Sequence, residues 1–187
     1  GYLRETLQEQ PYYANTCLAD VTLRVKKTLI GVPDDFPTIQ SAINSAVHGD
    51  TVLVSPGTWH ETIAFDGKNI IVASHFLTTG DEQYIAGTVI DGGGNGSVVT
   101  FSGGESVSAV LYGLTVTNGD AVSGGGILCN HASPTLKHIR ITGNTAQNGG
   151  GLYAAYSGVV VENTIIAANT ASIGGGVYFD HCGPASG

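Results

Sequence analysis

The segments GGGILCNHAS (residues 124–133), GGGLYAAYSG (149–158) and GGGVYFDHCG (174–183) decide the fold. Their Gly triplets recur at a spacing of 25 residues both times. At that step Ile127, Leu152 and Val177 share one position, and Leu128, Tyr153 and Tyr178 the next. Upstream, Val116, Ile141 and Ile166 align, as do Leu111, Leu136 and Val161. Asn144-Thr145-Ala146 returns as Asn169-Thr170-Ala171. The repeats are short β-branched runs bounded by Gly, Asn and Ser, without a helical period. Each is too short to bury its own apolar face. Stacking the repeats about 4.8 Å apart buries one continuous column. The expected fold is therefore all-β, a parallel solenoid with one coil per repeat.

Working outward, Thr51–Val54, Thr62–Phe65, Asn69–Ala73, Thr88–Ile90 and Val98–Phe101 read as less regular coils. About five or six coils follow, or roughly 25–30 Å of stacked sheet. Before them, Ile39, Ala42, Ile43, Ala46 and Val47 carry helical spacing, which predicts one capping helix over 37–48. Pro37 suits its first turn and Gly49 its exit. Residues 1–31 are expected to form an arm and 32–187 the solenoid.

The run FPTIQSAINSAVHGDTVLVSPGTWHETI (36–63), with GKNIIVAS, TVIDGGG and the GGG[ILV] repeats, resembles the right-handed parallel β-helix proteins of the pectate-lyase-like superfamily. It is most similar there to bacterial secreted β-helix repeat proteins, and the GGG[ILV] units resemble those of polymorphic outer-membrane proteins. The resemblance covers about residues 32–187 and implies a right-handed β-helix and a secreted or cell-surface location. It implies activity weakly, because one fold hosts many functions. The family's lyases gather acidic calcium ligands on one face, and its hydrolases pair carboxylates.

Composition narrows the classes further. Of 187 residues 42% are hydrophobic and only 12% charged, which excludes a disordered chain. The net charge of −8 argues against a nucleic-acid partner, since phosphate binding needs clustered Lys and Arg. No apolar run approaches a membrane span. Residues 1–30 carry a net +1 and residues 31–187 a net −9.

The candidate chemistry is sparse. No column of the regular half holds two acids: Asp180 lies over Ala155 and Asn130, and Glu162 over Lys137 and Tyr112. Glu162 with Lys137 reads as a cross-coil ion pair. Asp91 reads as a turn acceptor, and Asp81 and Glu82 are weak calcium candidates. The zinc pattern HExxH fails at His60-Glu61, and no metal or cofactor is expected. His131, Tyr156 and His181 form one ring column, and Tyr153 and Tyr178 another; these five are the candidates for carbohydrate contact. Cys129 and Cys182 lie two coils apart, too far for a disulfide, leaving Cys17 to reach either one, in the same chain or the next.

The last repeat stops at CGPASG, so the final coil is expected to be unfinished and its edge open. In the arm, Val21, Leu23 and Val25 alternate with polar residues, beside Arg24, Lys26 and Lys27. These six are the assembly candidates: a strand donated to the open end of the next copy would build a head-to-tail filament. The leading expectation is a non-catalytic extracellular scaffold that polymerises through residues 1–30. The alternative is a polysaccharide-binding or polysaccharide-cleaving β-helix.

Overall fold

The computed structural model describes residues 28–181 of the chain. Strands and helices are numbered in chain order. The first sheet contains β1 (Leu29–Val32), β2 (Thr51–Val54), β5 (Ile71–Ser74), β8 (Val110–Tyr112), β12 (Thr135–Lys137) and β16 (Val160–Glu162). The second contains β3 (Gly57–His60), β6 (Thr88–Asp91), β9 (Thr115–Thr117), β13 (Arg140–Thr142) and β17 (Ile165–Ala167). The third is short: β10 (Asp120–Ser123), β14 (Thr145–Asn148) and β18 (Thr170–Ile173). The fourth contains β4 (Ile63–Ala64), β7 (Val99–Phe101), β11 (Ile127–Asn130), β15 (Leu152–Ala155) and β19 (Val177–Asp180). Strand partners are parallel throughout the four sheets, an all-β arrangement of stacked parallel sheets compatible with a β-helix.

The 25-residue step read from the Gly triplets is the hydrogen-bonding register. Ile127 pairs with Leu152 and Leu152 with Val177. Leu111, Leu136 and Val161 form a second column, and Val116, Ile141 and Ile166 a third. Ile127, Leu152, Leu111, Leu136, Val116 and Ile141 are fully buried. Their partners in the last described layer are not: Val161 is 41% exposed, while Ile166 and Val177 are only partly buried. Phe65 and Phe101 meet ring to ring, their centroids 4.2 Å apart, in the less regular half.

The Gly triplet is demanded by close approach. A Cβ on Gly126 would sit 2.5 Å from the Gly151 carbonyl oxygen and 2.6 Å from Ile141 Cγ2. Below the triplet, an amide column replaces apolar packing. Asn144 is 1% exposed; its Oδ1 accepts from Gly119 N–H at 2.9 Å, and its Nδ2 donates to Asn169 Oδ1 at 2.9 Å. A buried amide is tolerated because its donors and acceptor are satisfied. The recurrent Asn-Thr-Ala was visible as a repeat, but its bonding was not.

Helices depart most from expectation. There are three among the described residues rather than one. The expected helix is α1 (Ile39–Ser45), shorter than 37–48. It starts at Thr38, whose side chain forms a reciprocal capping box with Ser41. It stops at Ala46, so Pro37 and Gly49 lie outside it, and Val47 is 51% exposed. Ile39, Ala42 and Ile43 are buried, and α1 rests against β1, β2 and β4. The two unexpected helices, α2 (Phe76–Thr79) and α3 (Gln83–Gly87), interrupt the connection between β5 and β6. Four or five residues are too few for a helical period to show. The strand β3 was also missed, since GTWH has no apolar alternation. Strand β1 straddles the expected boundary at residue 31, pairing Leu29–Val32 with Thr51–Val54. Val21, Leu23, Arg24, Val25, Lys26, Lys27, Cys17 and Cys182 lie outside the described residues.

Candidate functional site

The turn after the fourth sheet carries the ring column. His131, Tyr156 and His181 share a left-handed backbone, with φ of 52°, 49° and 50°. That conformation is unfavourable for residues with a Cβ, and at these three positions the rings stack on one another. The centroids of His131 and Tyr156 are 4.8 Å apart at 21°, and those of Tyr156 and His181 5.0 Å apart at 12°. Tyr153 and Tyr178 stack at 5.6 Å and 14° in the neighbouring column. All five predicted contact residues are thus brought together as two parallel ladders.

Between the ladders runs the column Asn130, Ala155 and Asp180. Asp180 accepts from the Tyr153 hydroxyl at 3.0 Å and faces His181 Nδ1 at 2.5 Å. Asn130 contacts His131 Nδ1 at 2.8 Å. Burial, and then the bond to Asp180, push the Tyr153 hydroxyl pKa up. The ladders form a ribbon of edges and polar tips. Because each ring covers the next, the faces that would stack on a sugar are largely occupied by neighbouring rings.

Several of the acids are engaged in holding backbone. Glu61 accepts from Ile39 N–H and Gln40 N–H, both at 2.9 Å, and so closes the first turn of α1. Glu105, 1% exposed, accepts from Gly67 and Gly103 N–H. Asp50 accepts from Thr28 and Val47 N–H. Asp91 is the turn acceptor expected, binding Gly93 N–H at 2.9 Å. That bond, then one from Asn118 and, least of the three, the nearby His60 hold its carboxyl below the usual range against the opposing effect of burial. Lys137 and Glu162 pair at 2.9 Å. Asp81 turns back onto Gln83 rather than toward Glu82. Among the described residues no three His, Cys, Asp or Glu groups gather as metal ligands.

A concave surface that sequence reasoning missed lies under α2 and α3. The first-to-second-sheet connection takes two residues at 113–114, 138–139 and 163–164, but thirteen at 75–87. This insertion is keyed into the stack. Phe76 is 8% exposed, its ring 5.6 Å from Tyr112 and 5.1 Å from His138. A Cβ on Gly113 would meet Phe76 at 2.9 Å. Thr115 Oγ1 donates to the Ile85 carbonyl at 2.7 Å. Between insertion and sheet is a cleft of about 450 Å³, with Glu82, Ile85 and Ala86 on one wall and His138, Arg140 and Ile165 among those on the other.

The two ends of the stack differ. At the first, α1 covers β1, β2 and β4. At the last, β16, β17, β18 and β19 each have a single strand neighbour among the described residues. There Val161, Ile165, Ile173 and Phe179 are 41%, 56%, 55% and 57% exposed.

Comparison with protein-family models, with curated proteins and with solved structures found no match. No described helix is long and apolar enough to cross a membrane.

Proposed function

We propose that the chain is a right-handed parallel β-helix that acts as a non-catalytic extracellular scaffold, adding copies head to tail at the β16–β19 end. One observation carries this reading: four parallel strand edges and four exposed apolar side chains occupy the same end. A parallel edge offers N–H and C=O groups at the spacing a further strand needs. The proposed occupant of that end is the arm of a second copy, the part of residues 1–30 that precedes β1. Residues 1–30 carry net +1 against a body of net −9, so the signs agree. So small a charge adds little affinity, and apolar and backbone pairing supply most of it. The engagement of Asp50, Glu61, Asp91, Glu105 and Asp180 in structural bonds supports a scaffold over a hydrolase or lyase.

Light scattering and electron microscopy of the full chain test the proposal. End-to-end polymers are expected, and Ile173→Lys with Phe179→Lys should leave folded monomers. Full-length protein that is monomeric at every concentration tested overturns it. A truncation probing the donor should stop at residue 27, because Leu29 and Ile30 already pair with Thr51 and Val52 in their own chain.

The second reading, polysaccharide binding, is favoured by the two ring ladders beside Asn130 and Asp180. Contact would run through ring edges and polar tips. Retardation of the protein in gels containing acidic or neutral polysaccharides, lost in Tyr156→Ala, supports it. Equal mobility with and without polysaccharide removes it.

A further inference from the structure

The cleft between the 75–87 insertion and the second sheet has a chemistry unlike the rest of the molecule. The described residues contain three basic side chains: Lys68, Lys137 and Arg140. Lys68 donates to the carbonyls of Ile43 and Asn44, and Lys137 is paired with Glu162. The guanidinium of Arg140 makes no hydrogen bond or ion pair among the described residues, and it lines the cleft. Glu82, on the insertion wall, likewise has no side-chain partner among them. One cation and one anion therefore face a shared space of about 450 Å³ from two different elements. That volume lies in the range of small-molecule sites.

The remaining lining decides what fits between them. Ile85 and Ala86 on the insertion and Ile165 on β17 supply apolar surface, and Ile165 is 56% exposed. His138 is fixed by the rings of Phe76 and Tyr112, and Asn163 Nδ2 lies 3.4 Å from its Nε2. The walls are pre-positioned, because Phe76 and Ile85 are anchored to the stack. The field of the whole molecule also selects. A chain of net charge −8 repels a free anion on approach, and Glu82 repels it again inside the cleft. A molecule carrying both charges avoids that penalty. It offers a carboxylate to Arg140, where a forked donor suits two oxygens, and an ammonium to Glu82.

We propose that this cleft binds a small zwitterion with a branched apolar group, that is, an apolar α-amino acid. The carboxylate lies on Arg140, the ammonium on Glu82, and the side chain against Ile85 and Ile165. The site is built from side chains on the flank of the stack and not from the strand edges that end it, and Ile165 of β17 borders both surfaces.

Titration calorimetry of the full-length protein with L-leucine, 4-methylpentanoate and isopentylamine tests this directly. Leucine is expected to bind one per chain, and each analogue, which lacks one charge, about ten- to a hundredfold more weakly. Arg140→Gln should lower leucine affinity by a similar factor and leave isopentylamine unchanged. Glu82→Gln should do the converse, weakening leucine and isopentylamine but not 4-methylpentanoate. Both side chains are exposed, so the thermal midpoint should not move. Leucine binding no tighter than either analogue overturns the proposal, as does leucine binding insensitive to both substitutions. Glycine binding as tightly as leucine removes the apolar part of the assignment.

Discussion

The two ends of the stack have opposite fates. At the first, Ile39, Ala42 and Ile43 of α1 close the apolar cross-section, and Glu61 from the chain beyond β3 holds the helix start. At the last, residues equivalent to buried ones meet solvent: Leu136 is fully buried, and Val161, one repeat on, is 41% exposed. Burial in this inward column follows whether a further layer lies above, since Leu136 and Val161 are both aliphatic. A layer that matches its neighbour in register but has no cover among the described residues has the shape to accept one more layer.

The largest difference between the ends is expected in the apolar columns. Leu136→Ala should cost about 2–5 kcal/mol by leaving a cavity. Val161→Ala in the same column should cost less than about 1 kcal/mol, because its site is half open. Chemical denaturation of both variants checks this, and equal losses would show that the last layer is as covered as the middle one. Next come the glycines. Gly126→Ala places a methyl 2.5 Å from a carbonyl oxygen and should cost about 1–3 kcal/mol. Gly176→Ala, with nothing nearer than 3.8 Å, should leave the thermal midpoint of the monomer unchanged.

The covered end is sharpened by smaller changes. Glu61→Gln keeps the shape but removes the charge from two N–H donors at the start of α1. It should cost about 0.5–2 kcal/mol in urea unfolding, and the loss should localise to α1 in hydrogen exchange. Smallest is Asp91→Asn. The folded-state pKa of Asp91 lies below its unfolded value, so its contribution is present above the ordinary aspartate range, near about 4, and is lost as pH falls through the folded value. The variant should be less stable by roughly a few tenths of a kcal/mol at neutral pH, and the two proteins should converge in acid. A gap that widens on acidification reverses the sign and removes Asp91 as a turn anchor.

What was legible in the sequence is what repeats. Ile127, Leu152 and Val177 announce a register because one physical environment recurs every 25 residues. The ring ladders were legible for the same reason. The insertion was not, because α2 and α3 occur once and are shorter than the period that reveals a helix. The cleft was illegible because Glu82 and Arg140 are brought to one space only by the docking of Phe76 over Gly113. Glu61 was read as a failed zinc motif, since its true partners, the first N–H groups of α1, lie about twenty residues away in sequence.

The most direct test of the open end uses Gly176. Within the chain, Gly151 already lies against the layer that follows it, where a Cβ would come within 2.6 Å of the Gly176 carbonyl oxygen. A further layer stacked in the same register would approach Gly176 as closely. Sedimentation velocity of the full-length Gly176→Ala protein beside wild type is therefore decisive. The account predicts unchanged thermal unfolding of the monomer together with loss of the head-to-tail polymers. Polymers of undiminished length in Gly176→Ala would contradict it, because no further layer would then be resting on that end.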